Sequence, residues 1–313
     1  MIKKIAVIGA GTMGHGIAHV FARAGYKVSL YDSFPACLEA APQKMREELQ
    51  FMADEGYIDQ KTVEDALSNI TLYDDLEAAA KDADYVIEAI PEKIELKQEL
   101  FANLDKICKK EAIFASNTSS LKLGEMIKDL PEERKAKCMI SHWYNPAYLL
   151  PIAELSKFGN MSDEDYQAVY DLYVKSEKKP VTVHKDVTGM IANRLLHALA
   201  REAFYILDEG IGEAKDIDNA LMFGPCFRYA TTGLLEVADM GGLDIWCLAE
   251  DILFPALATT QKACDSLRAH YEAGEYGMKN GKGYFDYPEG KAEEMRNAFY
   301  KRLITQLKAS KNY

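Results

Sequence analysis

The chain has 313 residues, with 49 acidic against 37 basic side chains and a formal charge of −12. That length suits two domains, each with its own core, and that charge argues against nucleic acid and anionic membrane surfaces as partners. No apolar run approaches the length needed to span a bilayer. The six cysteines (37, 108, 138, 226, 247 and 264) are scattered, without a CxxC pair or a neighbouring histidine cluster. Reduced thiols in a cytoplasm, and no metal site, are the expectation.

The first element is an apolar strand, Ile5 to Ile8. Met1-Ile2-Lys3-Lys4 before it mimics the start of a secretory signal, but the apolar run is short and flows directly into Gly9-Ala10-Gly11-Thr12-Met13-Gly14. A helical pattern follows (Ile17, Ala18, Phe21, Ala22), then a second apolar strand from Lys27 to Tyr31 that ends on Asp32. Strand, G-x-G-x-x-G, helix, strand and terminal acid together make the dinucleotide-binding fingerprint. A bare glycine turn would fit many α/β units, so it is the context that carries the reading. Gly9 permits the tight turn, Gly11 lets backbone approach a diphosphate at the helix N-terminus, and Gly14 lets helix and strand pack closely. Asp32 is placed to accept from both ribose hydroxyls, which favours NAD over NADP because a 2′-phosphate would be repelled.

Further strands are expected at Ile70 to Tyr73, Tyr85 to Ala89, Ala112 to Ala115 and Lys137 to Ser141, with shorter ones at Ile152 to Leu155 and Val181 to Val183. Helical patterns separate the earlier ones, notably Glu95 to Cys108. This alternation predicts a Rossmann-type α/β fold, a doubly wound, mostly parallel sheet covered on both faces. After Asp186 the texture changes. Ile191 to Leu207 has a helical apolar period, and nearly everything beyond reads as helix punctuated by glycine. The expected division is 1–186, an NAD-binding domain, and 187–313, a smaller all-helical domain for substrate and dimerisation. The substrate belongs in the cleft between them.

Five segments carry candidate chemistry: Ser116-Asn117-Thr118-Ser119-Ser120 after one strand, Ser141-His142-Trp143-Tyr144-Asn145-Pro146 after the next, Pro151-Ile152-Ala153-Glu154-Leu155, Asn193-Arg194-Leu195-Leu196, and Gly277 to Phe285. In this order behind a GxGxMG start, they resemble the L-3-hydroxyacyl-CoA dehydrogenase family over essentially the whole chain. The resemblance implies an NAD-dependent, reversible oxidation of the 3-hydroxy group of a 3-hydroxyacyl-CoA such as 3-hydroxybutyryl-CoA. His142 matches the acid/base, and Glu154 the acid that fixes its tautomer and stabilises the imidazolium. Ser119 and Asn193 match residues that bond the substrate oxygens; a helix cap and a loop amide are their simpler readings. Glu92, Lys97, Asn145 and Lys279 match positions that contact NAD, although a lone lysine such as Lys279 more often serves solubility. A homodimer formed through the helical domain is also implied.

Three features depart from short-chain acyl-CoA enzymes of that family. Where those carry a lysine-rich helical stretch for the CoA phosphates, Leu49 to Tyr57 has two acids and no lysine, with Lys44 and Arg46 upstream as substitutes. The run from His142 to Glu154 resembles relatives that act on free β-hydroxy acids, the gulonate dehydrogenase/lambda-crystallin group and the carnitine dehydrogenases. Phe227-Arg228-Tyr229-Ala230 resembles the same group, and an Arg228 guanidinium can pair with a substrate carboxylate; a rim or interface arginine is the alternative. The tail beyond Tyr287, with an amphipathic helix over Ala292 to Leu307, also fits that group. A free β-hydroxy acid is therefore the second expectation for the substrate. A non-catalytic NAD-binding structural protein is the third, and it predicts loss of the His/Glu pair.

Overall fold

The computed structural model describes residues 2–312. Eight strands form one sheet: β1 (Lys4–Ile8), β2 (Lys27–Tyr31), β3 (Ile70–Tyr73), β4 (Tyr85–Glu88), β5 (Ile113–Ser116), β6 (Cys138–Trp143), β7 (Ile152–Ser156) and β8 (Lys179–Val183). Their order is β3-β2-β1-β4-β5-β6-β7-β8. The first six run parallel, β7 pairs antiparallel with β6, and β8 runs parallel to β7. β4, β5 and β6 are buried along their whole length, as strands covered on both faces must be. Pro180 lies in β8 at the sheet edge, the place where a residue without an N–H costs no ladder bond. The order reverses at β1, flanked by β2 and β4. Ligands of open α/β sheets bind outside the carboxyl ends of strands at such a point.

Helices α1 (Gly14–Arg23), α2 (Pro35–Asp54), α3 (Gln60–Ser68), α4 (Leu76–Ala80), α5 (Ile94–Ile107), α6 (Leu123–Met126), α7 (Glu132–Lys135) and α8 (Asp163–Lys175) fill the connections. Asp59, Asp75 and Ser162 cap α3, α4 and α8 by accepting from Thr62, Ala78 and Asp165 N–H groups. α1 is buried from Gly14 to Ala22. Its Phe21 meets Tyr85, Trp143 and Tyr173 edge-on at centroid distances of 6.1, 5.3 and 5.5 Å. The Tyr173 hydroxyl accepts from Trp143 Nε1 at 2.9 Å and bonds Tyr85 and Ser141. Behind this cluster Lys178 Nζ donates to the Ala147 and Leu150 carbonyls at 2.5 and 2.6 Å and lies 4.2 Å from the Trp143 ring. No carboxylate answers it in these bonds, and burial pushes its pKa well down. It ties down the chain between β6 and β7.

β6 differs from the expected Lys137 to Ser141 strand. It runs on through His142 and Trp143, because β7 continues the ladder beyond the last residue of β5. His142 and Trp143, expected just after a strand, are thus on it, and Tyr144 to Pro146 follow it.

The chain divides into two compact units: one runs to Ala192 and includes Leu303–Lys308, and the other holds Asn193–Arg302 with the residues from Ala309. Within the first, Ile304 and Leu307 are buried and Lys308 donates to the Glu55 carbonyl. The second is helical, as the sequence predicts, with α9 (Ala192–Asp208) from Asn193 on, α10 (Ala214–Phe223), α11 (Pro225–Tyr229), α12 (Leu234–Gly241), α13 (Leu243–Leu253), α14 (Asp265–Glu272) and the part of α15 (Ala292–Ala309) before Leu303. No helix among the described residues is long and apolar enough to cross a membrane.

Candidate active site

The glycine turn joins β1 to α1. Gly9 has φ +105°, and a Cβ there would lie 2.7 Å from the Ala89 carbonyl oxygen. At Gly14 a Cβ would sit 1.6 Å from the Gly9 oxygen, so helix and strand could not approach. Around a Cβ on Gly11 there is nothing within 4 Å. The turn is closed on itself where packing demands it and open where a ligand would come. Asp32, at the end of β2, accepts from Ala10 N–H at 2.7 Å through Oδ2 and from Phe34 N–H at 2.8 Å through Oδ1. Each oxygen keeps a further lone pair. Thr12 and Met13 lie between Gly11 and the helix, with Thr12 exposed.

The acid/base candidates meet across the antiparallel pair. The β6–β7 register sets His142 directly opposite Glu154, and opposed residues on one face of such a pair come within side-chain reach. His142 Nδ1 lies 2.9 Å from Glu154 Oε2. The carboxylate is wholly buried, and its other oxygen accepts from Ile191 and Ala192 N–H groups at 2.9 and 2.8 Å. Burial would raise the Glu154 pKa. The His142 bond, the two N–H groups at the start of α9 and the imidazole's own charge outweigh it, so the net shift is down. An ionised Glu154 only accepts, which places a hydrogen on Nδ1 and leaves Nε2 for chemistry. Ser119 Oγ lies 3.1 Å from that Nε2, and Ser119 itself is exposed. The bonds therefore run from the surface through His142 to a buried anion.

A second set of bonds holds Ser119. Glu92 Oε1 takes four donors: Thr118 Oγ1 at 2.5 Å, the Ser119 and Ser120 N–H groups at 3.0 Å each, and Ser120 Oγ at 2.9 Å. Burial opposes its ionisation, yet these hydroxyls and Lys97 bring its pKa down to about 2. Lys97 is only 1% exposed; its Nζ stands 2.6 Å from Glu88 Oε1 and 3.2 Å from Glu92 Oε2. Ser116 also donates to Glu88, and Ile90 N–H donates to its other oxygen at 3.0 Å. Asn117 Oδ1 accepts from Trp143 N–H at 2.8 Å and links the serine segment to β6. Ser116 and Asn117 lie in the segment singled out by sequence without a role of their own, and Glu88 is the member of this network that sequence reasoning passed over. An acid closing the apolar run Tyr85-Val86-Ile87 was the available signal, since a buried carboxylate demands a partner.

Among the other candidates, Asn145 is exposed just after β6, where its peptide bond to Pro146 is cis. Asn193, Arg228 and Lys279 belong to the second unit. Asn193 follows Ala192, whose N–H binds Glu154. Arg228 is exposed on α11, its guanidinium 5.5 Å from the Tyr229 ring centroid. Lys279 is exposed in a turn closed by Gly277 N–H to Lys282 O at 2.7 Å and Gly281 N–H to Gly277 O at 2.9 Å. Lys44 is exposed, and Arg46 pairs with Glu64 at 2.9 Å.

Comparison with known proteins gives concordant matches. Residues 4–187 match the family described as 3-hydroxyacyl-CoA dehydrogenase, NAD binding domain, and residues 189–287 its C-terminal domain. The chain belongs to the 3-hydroxyacyl-CoA dehydrogenase family. It is 35% identical over 289 residues to a probable 3-hydroxybutyryl-CoA dehydrogenase of Bacillus subtilis, covering 92% of this chain and 98% of that one. The solved 3-hydroxybutyryl-CoA dehydrogenase PaaH1 of Ralstonia eutropha is 29% identical, with TM-score 0.74 and coverage of 92% and 100%. The solved 5-formyl-3-hydroxy-2-methylpyridine 4-carboxylic acid 5-dehydrogenase is 28% identical, with TM-score 0.88 and 97% of both chains covered.

As a member of the 3-hydroxyacyl-CoA dehydrogenase family, the protein is an NAD-dependent dehydrogenase acting on a secondary alcohol. The cradle fits NAD: the space over Gly11 suits a diphosphate, and the Asp32 carboxylate suits a ribose diol. With a ribose diol on Asp32, a 2′-phosphate would meet that carboxylate at close range, and like-charge contact costs several kcal/mol. NADH should exceed NADPH in catalytic efficiency by at least about a hundredfold. Steady-state rates with the two cofactors check this, and equal efficiencies would remove Asp32 from the ribose site.

Proposed function

We propose that the protein reversibly oxidises the 3-hydroxy group of a 3-hydroxyacyl-CoA such as 3-hydroxybutyryl-CoA to the 3-keto product. The observation that carries this reading is the Ser119–His142–Glu154 chain of bonds on a dinucleotide fold. NAD, when bound, accepts the hydride from the alcohol carbon. His142 Nε2 takes the hydroxyl proton; in reduction it returns that proton to the carbonyl oxygen. Glu154 holds the ring by Nδ1 and stabilises the imidazolium. Ser119 and Asn193 bond the substrate oxygen as charge develops there. Glu92 and Lys97 act in cofactor binding, with Lys97 working through Glu92 from its buried position, and Asn145 and Lys279 complete the cofactor contacts. Removing a general base costs about 10²–10⁴-fold. His142→Ala should lose turnover on that scale and keep its NADH dissociation constant, and Glu154→Gln should fall between it and the parent. Near-normal turnover in His142→Ala would refute the assignment.

A second reading, a free β-hydroxy acid, has its own support. The neighbour at TM-score 0.88 has a pyridine carboxylate in its name and no CoA, and it matches 97% of this chain against 92% for PaaH1. The α2 segment offers exposed Lys44 and a paired Arg46 to CoA phosphates, with Asp54 and Glu55 at its C-terminal end. In this reading Arg228 binds the substrate carboxylate. A charge-assisted pair is worth about 1.5–3 kcal/mol, so Arg228→Met should lose about tenfold to a hundredfold in efficiency with free 3-hydroxy acids. Side-by-side assays against 3-hydroxybutyryl-CoA decide it. Efficient thioester turnover, unaltered in Arg228→Met, leaves the first reading standing.

We also propose that the protein works as a homodimer through its helical unit, in a cytoplasm. Among the described residues α9, α10 and α13 bury no side chain fully. Phe223, Leu235, Leu248 and Ile252 are each at least 65% exposed, and large apolar side chains exposed together mark association surfaces. A second copy of the same helices covers such a face self-complementarily. Light scattering at micromolar concentration should give twice the chain mass, and Leu248→Asp with Ile252→Asp should shift it to one chain. A parent that is monomeric there would dismiss the dimer.

A further inference from the structure

His15 and His19 lie four residues apart on α1, and both direct Nε2 at Glu48 of α2, His15 to Oε1 and His19 to Oε2, at 3.1 Å each. His15 Nδ1 is 2.6 Å from the carbonyl oxygen of Gly11, inside the glycine turn. Both histidines are buried. A carbonyl oxygen only accepts, so the Gly11 bond needs a hydrogen on Nδ1. An ionised carboxylate only accepts, so the Glu48 bond needs one on Nε2. Both bonds together require His15 to be an imidazolium.

The rest of the cluster agrees. Burial would raise the Glu48 pKa, but the two histidine bonds and the histidines' charge hold it at about 2. His19 Nδ1 is buried without a partner. A neutral His19 with its hydrogen on Nε2 leaves only a lone pair unmatched there, and burial lowers its pKa. One positive charge is therefore lodged on His15. Burial and the adjacent positive end of α1 both oppose it. The Glu48 bond and charge, helped by the Gly11 carbonyl and opposed by Lys44, still raise the His15 pKa above its ordinary 6.5. The groups around the cluster are Glu48 and Lys44 from α2, His19 and Arg23 along α1, and the Tyr148 ring 5.4 Å from His19; Arg23 itself pairs with Glu177.

The carbonyl of Gly11 and the N–H of Thr12 share one planar trans peptide and point in opposite directions. Drawing the carbonyl onto His15 turns the Thr12 N–H out of the turn, toward the side from which a diphosphate is bound. We propose that His15 is a positioning residue for the dinucleotide: clamped as an imidazolium by Glu48, it fixes the Gly11–Thr12 peptide in its diphosphate-binding orientation, and the clamp opens when that proton leaves. A neutral His15 keeps one ring hydrogen. Beside a carboxylate the charge-assisted bond wins it for Nε2, so the Nδ1 bond to Gly11 is the one lost, and the carbonyl keeps only the long 3.4 Å bond from the His15 backbone N–H. Because the folded pKa is raised, the clamp is complete below about pH 6.5 and fails as pH rises through the folded value.

The test is NADH affinity, by fluorescence titration from pH 6 to 9, with the His15 imidazole followed by NMR in the same samples. In the parent the dissociation constant should rise about tenfold across the titration of His15. His15→Phe should bind about tenfold more weakly at pH 6 and show no step. In Glu48→Gln the amide donates to Nε2, which keeps the hydrogen of a neutral His15 on Nδ1. That variant should lose the step and bind NADH more tightly than the parent at pH 9. Parental affinity in His15→Phe at pH 6, a step that persists in either variant, or a parent profile that stays flat while His15 titrates would each overturn the proposal. A purely structural role would weaken both variants at every pH and leave the parent flat.

Discussion

The antiparallel pairing of β6 with β7 is the constraint on which the site rests. One residue of slip would turn Glu154 to the opposite face of the sheet from His142. The register is held from several sides. Lys178 fastens the connecting segment by two carbonyls, and Trp143 is locked into the Phe21–Tyr85–Tyr173 cluster. The first N–H groups at α9 then close on the free oxygen of Glu154. A buried carboxylate is tolerable only when both oxygens are answered. Here one is answered by the imidazole and the other by backbone.

The same economy of buried charge recurs along the carboxyl edge of the sheet. Glu88, Lys97 and Glu92 form a line of alternating sign, and the outermost acid gathers the backbone of Ser119 and Ser120. Glu48 does likewise for His15 and His19 beneath the glycine turn. In both places an ionised acid acts on the ligand-facing turn through a cation or a hydroxyl. Removing a single member of such a set leaves an uncompensated charge, which costs about 3–5 kcal/mol. These sets therefore hold loop geometry that the short loops themselves could not.

The two halves of the chain are built on different terms. The sheet unit is closed, with β4, β5 and β6 fully covered. The helical unit leaves the apolar faces of α9, α10 and α13 uncovered within its own chain. A helix stripe stabilises a fold only when something packs on it, which is the ground for the dimer proposed above.

Much of this was legible in the residues. The glycine turn with Asp32 needs only local spacing, because tight turns, close helix approach and a terminal acid are each set within some thirty residues. The parallel sheet followed by helices was equally readable from periodicity. The pairing of His142 with Glu154 could be anticipated from resemblance, but its physical basis could not, since a cross-strand register depends on where β7 docks. The end of β6 was misjudged for the same reason: its last residues are strand only because a neighbour pairs with them. Lys97, matched by resemblance to a cofactor contact, is a buried bridge between Glu88 and Glu92, and Glu88 was given no role from sequence. The doubly protonated His15 was equally hidden, because a protonation state follows from which acceptors surround each ring nitrogen. Sequence determined which elements form and which residue types they carry. Only the tertiary structure decided which charges meet, because acids and bases distant along the chain become neighbours through packing alone.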